Sequence, residues 1–99
     1  MDKNRSLYIV YVLRSEKDGK RYIGYTSDLA RRLNEHNSGK TISTKNRRPF
    51  ILIYQEEYST KAEAMEREKF FKSGKGREEL KKIESVILDG NISLAIKKE

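Results

Sequence analysis

The sequence contains no cysteine and no tryptophan, and only one histidine and one proline occur among its 99 residues. Without cysteine the chain cannot form disulfides, use a thiolate nucleophile or build a cysteine-based zinc site. No apolar run approaches the roughly 20 residues that a membrane-spanning helix needs. The opening residues 1–5 show no signal-peptide core. We therefore expect one cytoplasmic domain without a membrane partner, as a monomer or weak dimer.

Acidic residues are absent from one long segment. Between His36 and Gln55 there is no aspartate or glutamate, although the chain as a whole is 37% charged, with a formal net charge of +7. The segment is rich in serine, threonine and asparagine, whose side chains can contact phosphate oxygens. It also carries four basic residues, Lys40, Lys45, Arg47 and Arg48. This composition favours a phosphate-contacting loop in a nucleic-acid-binding protein. The alternative is a solvated, mobile surface loop.

The pattern of apolar residues predicts three strands. Residues 7–13 form a continuous run of β-branched and aromatic side chains, which is typical of a central strand. The dipeptide Asp18-Gly19 predicts a hairpin that leads to an antiparallel partner at 21–25. A third strand is predicted at 50–54. Alternation places four residues on one face of the first strand, Leu7, Ile9, Tyr11 and Leu13.

Capping signals locate the first two helices. Thr26 or Ser27 is predicted to cap a helix that has Asp28 in its first turn. That helix should run to about Asn37, where the following serine and glycine stop it. A capping box at Thr60–Glu63 opens the second helix, because its two side chains can satisfy each other's free backbone donors.

A third helix is predicted from about Arg77, introduced by Gly76, with Leu80, Ile83 and Ile87 at core spacing. The order β-β-α-β-α-α describes an α+β fold, a small three-stranded antiparallel sheet flanked by helices. We expect residues 1–90 to form this single domain and residues 91–99 to be a C-terminal tail of uncertain structure.

Glu68 stands out by its position on the second predicted helix. Four residues share one face of that helix, Ala64, Met65, Glu68 and Phe71. Four others are predicted to point elsewhere, Glu63, Glu66, Arg67 and Lys69. A carboxylate set in an apolar stripe must be paired, protonated or bound to a cation. Spacing alone favours a salt bridge to one of the many basic residues, with a metal ligand as the alternative.

Arg32 and His36 are i, i+4 neighbours on the first predicted helix. They lie beside the apolar stripe of Leu29 and Leu33, whereas Arg31 should face solvent. The residues alone favour an amphipathic helix edge, in which the arginine stem covers apolar surface.

Two tyrosines complete the pattern. Tyr11 ends the sequence Ile-Val-Tyr on the first strand, and Tyr22 begins Tyr-Ile-Gly on the second. Gly24 within a strand suggests a close backbone approach or a bulge. The tyrosines alone could be ordinary strand aromatics. Together with Arg32, His36 and the Glu-Ala pair five positions before Glu68, they resemble the GIY-YIG nuclease family over roughly residues 7–75. The resemblance is strongest to small single-domain members, which are related to the N-terminal nuclease domain of the ABC excinuclease.

The resemblance implies a metal-dependent endonuclease, a hydrolase of DNA phosphodiester bonds, with DNA repair or recombination as its expected setting and RNA left open as a substrate. It makes Glu68 the ligand of one Mg²⁺ or Mn²⁺ ion and directs Arg32 to the scissile phosphate. It makes His36 a proton handler or phosphate contact. Tyr11 and Tyr22 would both point into the active site, with one tyrosine as the proposed general base.

Two features depart from the family pattern. Ile-Val-Tyr stands where Gly-Ile-Tyr is expected, although Tyr11 itself is kept. Residues 72–77 contain no asparagine, which many relatives carry shortly after the metal-binding helix. The alternative interpretation is a non-catalytic nucleic-acid-binding module that retains the nuclease fold. Only the enzyme needs four side chains to converge on one phosphate, Tyr11, Tyr22, Arg32 and Glu68.

Overall fold

The strand predicted at residues 7–13 is the centre of the sheet in the computed structural model, which describes residues 7–88 and 96–98. The strands are β1 (Tyr8–Ser15), β2 (Arg21–Thr26) and β3 (Phe50–Tyr58), and the helices are α1 (Leu29–Ser38), α2 (Lys61–Phe71) and α3 (Gly74–Leu88). A short 3-10 helix, Lys45–Arg47, precedes β3. Because β1 pairs antiparallel with both β2 and β3, the predicted α+β fold and its order are confirmed.

Both faces of β1 are buried, which explains its uninterrupted apolar sequence. Tyr11 and Leu13 pack with Leu29 and Leu33 of α1 on one face of the sheet. On the other face, valines of β1 pack with residues of α2 and α3, in the cluster Val10, Val12, Ala64, Phe71 and Leu80. The sheet therefore lies between α1 on one side and α2 with α3 on the other.

A fourth strand, β4 (Ile96–Lys98), was not predicted. It pairs in parallel with β3, so the sheet order is β2-β1-β3-β4. The sequence left residues 91–99 as a tail of uncertain structure, because a three-residue strand is too short to show a periodic pattern. Residues 89–95 lie outside the described residues.

The two ends of α1 differ in how well the sequence predicted them. Asp28 is the N-cap, with non-helical backbone angles, and its carboxylate accepts the Arg31 N–H. The prediction of Thr26 or Ser27 as the cap was wrong, because the Thr26 hydroxyl instead accepts the N–H of Asp28. At the other end, Gly39 adopts a left-handed conformation, φ 86°, and its N–H bonds to a carbonyl of the last turn. Glycine adopts this conformation without steric cost.

The junction of α2 and α3 also differs from the prediction. α2 begins with the predicted capping box at Thr60, but α3 starts at Gly74 rather than near Arg77. Gly76 therefore lies inside the first turn of α3. A Cβ at Gly76 would lie 1.9 Å from the Phe70 carbonyl oxygen. Glycine is needed there because two helices touch, and this contact is invisible in a local pattern.

Candidate active site

The Tyr11 side chain extends from β1 over Gly24 of the neighbouring strand β2. The two residues are partners in the β1–β2 ladder, and a Cβ at Gly24 would come within 2.6 Å of the Tyr11 hydroxyl oxygen. The Tyr11 side chain is almost completely buried, with 1% of its surface exposed. The strand glycine thus makes room for a buried phenol, in keeping with the close approach that its position suggested.

Tyr22 packs against this phenol from β2. The ring centroids of Tyr11 and Tyr22 are 6.4 Å apart, with the ring planes 25° from parallel. Tyr22 also meets the His36 ring edge-on, at a centroid distance of 4.8 Å. Unlike Tyr11, Tyr22 is partly exposed. It therefore links the buried cluster to the surface.

His36 is fully buried at the end of α1. Its Nε2 atom lies 3.1 Å from the Tyr11 hydroxyl, and its Nδ1 atom lies 2.9 Å from the hydroxyl of Thr44. Burial lowers the pKa of His36 below its usual value, and the positive charge of Arg32 lowers it further. The imidazole is therefore neutral at pH 7 and can accept a proton at one nitrogen.

Arg32 reaches the same phenol from one turn earlier in α1. Its side chain is 32% exposed and donates to the Glu35 carboxylate at 3.0 Å. A hydrogen bond with Tyr11 raises the pKa of Arg32, outweighing burial. Arg31 is 63% exposed and pairs with Asp28 and Glu35 at the surface. Only the second arginine of the pair therefore contacts the cluster.

The environment of Tyr11 keeps its hydroxyl protonated. Burial is the main cause that raises the pKa of Tyr11, and the nearby Tyr22 and Glu68 raise it further. Hydrogen bonding with Arg32 acts in the opposite direction but does not overcome burial. At neutral pH the side chain is a phenol, so it can take up a proton only while it passes its own proton on. Its neighbour at hydrogen-bond distance, His36, is the available acceptor.

Glu68 lies at the border of the buried face of α2. Its side chain is 21% exposed, and one carboxylate oxygen accepts a hydrogen bond from Lys72 Nζ at 2.8 Å. The predicted face was partly wrong, since Met65 is 47% exposed whereas Arg67 is turned inward. Met65 and Arg67 flank the buried stripe of α2 on opposite sides, and helical spacing alone does not tell which of the two turns inward. The prediction chose the apolar residue, and the structure turns the charged one inward.

Arg67 belongs to a buried ionic cluster that the sequence did not reveal. It donates to the fully buried carboxylate of Glu56 at 2.8 Å and to Glu79 at 2.6 Å. Tyr54 also donates to Glu56, at 2.6 Å. Burial alone would raise the pKa of Glu56, but hydrogen bonds from Arg67, Tyr54 and Tyr58 hold it below its usual value. The cluster ties β3, α2 and α3 together and so fixes the rotation of the helix that carries Glu68.

The predicted phosphate-contacting loop has three exposed cations, Lys40, Lys45 and Arg48. Arg47 is engaged in the fold instead. Its guanidinium donates to Asp18 at 2.9 Å and lies 5.4 Å from the centre of the Phe50 ring. Arg47 thus fastens the loop to the β1–β2 hairpin, and this long-range contact could not be read from composition.

A cation-lined cavity opens beside Tyr22, with a volume of about 440 Å³. Its lining consists of Lys20, Arg21, Tyr22, Ile23, Lys72 and Arg77. Arg21 forms an ion pair with Glu84, and Lys72 forms the pair with Glu68. We call this cavity the basic groove. It extends from the candidate site along the β2 edge of the sheet.

Metal-binding potential rests on Glu68. Among the residues that the structure describes, no three histidine, cysteine, aspartate or glutamate side chains cluster into a metal cage. A single, partly exposed carboxylate suits Mg²⁺, which keeps several waters and needs only one or two protein carboxylates.

Among residues 7–88 and 96–98, no helix is long and apolar enough to cross a membrane.

The fold and the side-chain cluster together define a class of protein. It is a small basic α+β domain whose buried polar cluster lies beside a cation-lined groove. Comparison with protein families narrows this class. Residues 7–83 match the GIY-YIG catalytic domain, and the chain belongs to the GIY-YIG family.

Similar proteins share a family designation. The chain is 44% identical to a UPF0213 protein of Staphylococcus haemolyticus, over 78% of this chain and 94% of that one. It is 47% identical to the UPF0213 protein YazA of Bacillus subtilis, over 73% of this chain and 71% of that one. The solution NMR structure of a UPF0213 protein from Bacillus halodurans is also similar, with a TM-score of 0.50, 38% identity, and coverage of 78% of this chain and 84% of that one.

Proposed function

We propose that this protein is a metal-dependent endonuclease that hydrolyses phosphodiester bonds in DNA. The observation that carries the proposal is the arrangement around the Tyr11 hydroxyl. One histidine and one arginine interact with it directly, and the charge of Glu68 acts on it from another helix. A proton acceptor, a cation and a carboxylate around one hydroxyl group are what metal-assisted phosphodiester hydrolysis requires.

Arg32 would bind the scissile phosphate. It is the cation that interacts with Tyr11, and its partial exposure lets a substrate oxygen replace or join Glu35 as its partner. A fixed guanidinium stabilises the charge that develops on the phosphate as the attacking oxygen arrives. Arg32 therefore serves the transition state more than initial binding.

Tyr11 and His36 would handle the proton of the attacking water as a unit. Tyr11 oxygen takes a proton from the water while the Tyr11 hydroxyl proton moves to Nε2 of His36. The water oxygen forms the new bond to phosphorus, and the bond to the leaving oxygen breaks. That oxygen is protonated by solvent. Because the pKa of Tyr11 is raised, a concerted transfer avoids a free tyrosinate.

Glu68 would hold one Mg²⁺ or Mn²⁺ ion, which when bound supplies positive charge to the phosphate. Lys72 donates to one oxygen of the same carboxylate, so a bound metal ion would compete with Lys72 for Glu68. Lys72 also lines the basic groove, where it would contact substrate phosphates.

Two basic surfaces would position the rest of the DNA. One is the loop with Lys40, Lys45 and Arg48 exposed, to which Arg47 contributes a structural contact. The other is the basic groove beside Tyr22. Both are rich in flexible cations, which favours contacts to phosphates over reading of bases. RNA offers the same phosphates and is the substrate to compare with DNA.

One observation favours the second candidate, a nucleic-acid-binding module without catalysis. Lys72 Nζ donates to one Glu68 carboxylate oxygen at 2.8 Å and so competes with a cation for this side chain. If this pair persisted in the presence of millimolar Mg²⁺, the protein would bind nucleic acid and leave it intact.

Nicking of supercoiled plasmid separates the two candidates. We expect cleavage with Mg²⁺ or Mn²⁺, none with a chelator, and none from Glu68→Gln. Glu66→Gln is the matched control, since Glu66 is an exposed carboxylate on the same helix. A wild-type protein that binds but never nicks supports the binding module. Equal nicking by wild type and Glu68→Gln refutes the metal-site assignment.

A further inference from the structure

Thr44 is a buried threonine whose hydroxyl contacts a histidine instead of capping the helix that it precedes. It occupies the N-cap position of the 3-10 helix, yet its side chain makes no capping hydrogen bond. The residue is fully buried, and its hydroxyl lies 2.9 Å from Nδ1 of His36. The acceptor for its own proton is the Thr41 carbonyl oxygen, at 3.4 Å. Threonine at this position is therefore placed for the histidine rather than for the helix.

The available donors and acceptors decide which nitrogen of His36 carries the hydrogen. Arg32, whose pKa is raised by Tyr11, carries a guanidinium that can only donate. The hydroxyl proton of Tyr11 therefore needs another acceptor, and Nε2 of His36 is at hydrogen-bond distance. If Nε2 carried the hydrogen, that phenol proton would lack a buried partner.

The other end of this chain of hydrogen bonds is fixed in the same way. With Nε2 bare, the single hydrogen of the neutral ring is on Nδ1, which donates to the Thr44 hydroxyl. Thr44 can accept this bond because its own proton points to the Thr41 carbonyl. Every hydrogen bond from Tyr11 to Thr41 then runs in one direction. The partner of one ring nitrogen sets the protonation of the other.

We propose that Thr44 is a positioning residue that holds His36 in the Nδ1-protonated tautomer, so that Nε2 stays free to receive the Tyr11 proton. Thr44 touches no reacting atom in this arrangement and acts through His36. Its catalytic consequence rests on the proposed nuclease function, but the tautomer is a property of the resting protein. Thr44 lies in the predicted phosphate-contacting loop. In this arrangement the loop that carries the exposed cations also orients the proton acceptor.

Nitrogen NMR of the imidazole tests the tautomer directly. His36 is the only histidine in the chain, so all imidazole nitrogen signals belong to this residue in protein that carries no histidine tag. The couplings of each nitrogen to the two carbon-bound ring hydrogens then distinguish Nδ1 from Nε2. Wild type and Thr44→Ser should show a protonated Nδ1 and an unprotonated Nε2. Thr44→Val, which removes the hydroxyl at similar volume, should shift the ring toward Nε2–H or a mixture. Thr41→Val is the matched control, since it leaves the accepting backbone carbonyl in place, and it should match wild type.

Single-turnover cleavage supplies the second readout. Thr44→Val should lose at least about tenfold in rate with unchanged DNA affinity, a part of the 10²- to 10⁴-fold that a positioned proton acceptor contributes. Thr44→Ser should recover the rate. A wild-type ring protonated at Nε2 would overturn the proposal even if Thr44→Val failed to fold, as would a wild-type tautomer in folded Thr44→Val. Should wild type show the expected tautomer but never cleave, the nuclease function would fail while the role of Thr44 would stand.

Discussion

Replacing Gly24 by alanine tests how tightly the sheet is built around Tyr11. An added Cβ would lie 2.6 Å from the hydroxyl oxygen and 2.8 Å from Cζ of Tyr11. Nonbonded atoms do not approach so closely, so the phenol must move or the β1–β2 pair must open. Because Tyr11 is buried and lies at hydrogen-bond distance from His36, either movement lowers the stability of the folded protein.

The net effect follows from two opposing contributions. Alanine is favoured over glycine in a strand by about 0.5–1 kcal/mol, because glycine loses more backbone entropy on folding. Overpacking of a filled core costs about 1–3 kcal/mol. The difference spans about 0–2.5 kcal/mol, and we expect Gly24→Ala to lower the free energy of unfolding by about 1 kcal/mol, near the middle of that range. Each kcal/mol lowers the Tm of a domain of this size by about 4–8 °C.

Thermal unfolding and the imidazole nitrogen shifts of His36 together measure this effect. Gly74→Ala is the control, since a Cβ at Gly74 meets no atom within 4 Å, and it should be as stable as wild type or slightly more so. We expect Gly24→Ala to lose both stability and the wild-type shift of Nε2, because the Tyr11 hydroxyl is displaced. Wild-type Tm together with wild-type shifts would refute the reasoning that Tyr11 requires this space.

Three further predictions concern charge. Glu56→Gln should cost about 3 kcal/mol of unfolding free energy at pH 7, since it uncouples a buried ion pair. Because the folded pKa of Glu56 lies below its ordinary value of 4.5, its contribution is complete above that value and is lost as pH falls through the folded pKa. Urea unfolding from neutral to acid pH should show a flatter profile for the variant. Arg32→Ala should slow turnover about 10²- to 10³-fold with modest loss of DNA affinity, measured by single-turnover kinetics and binding isotherms. Lys20→Gln with Arg77→Gln should flatten the slope of log affinity against log salt by up to about 1.8 for duplex DNA.

Each of these variants has a neighbour that serves as its control. Glu57→Gln removes a partly exposed carboxylate from the same strand and should leave acid stability unchanged. Arg31→Ala removes the exposed arginine and should keep turnover. Lys61→Gln removes an exposed cation outside the lining of the basic groove and should keep the salt slope. Equal effects in a variant and its control would count against the corresponding assignment.

Local patterns predicted the parts of this fold that depend on neighbouring residues. Two-sided burial made β1 continuous and apolar, and the capping box at Thr60 needs only the residues of one turn. Long-range contacts were not predictable in this way. The Glu56–Arg67 pair joins a strand to a helix, and Gly76 is required by an approach of two helices. Both depend on tertiary packing, which overrides local polarity and turn signals.

The candidate site shows the same division. The family pattern singled out Tyr11 and His36, and the structure brings them to hydrogen-bond distance. Thr44 had no signal, because a threonine in a loop rich in serine and threonine looks ordinary until its burial is known. The engagement of Arg47 with Asp18 was hidden for the same reason. Composition locates cations along a chain, but it does not tell which of them the fold already uses.

The most direct test of the candidate site is the single-turnover cleavage rate of Tyr11→Phe. This change removes one oxygen and keeps the ring that packs against Tyr22, so the fold and DNA affinity should be retained. We predict a rate about 10²- to 10⁴-fold below wild type at saturating Mg²⁺, because the water proton loses its path to His36. A Tyr11→Phe protein that binds and cuts DNA as fast as wild type would contradict the proposed role of Tyr11.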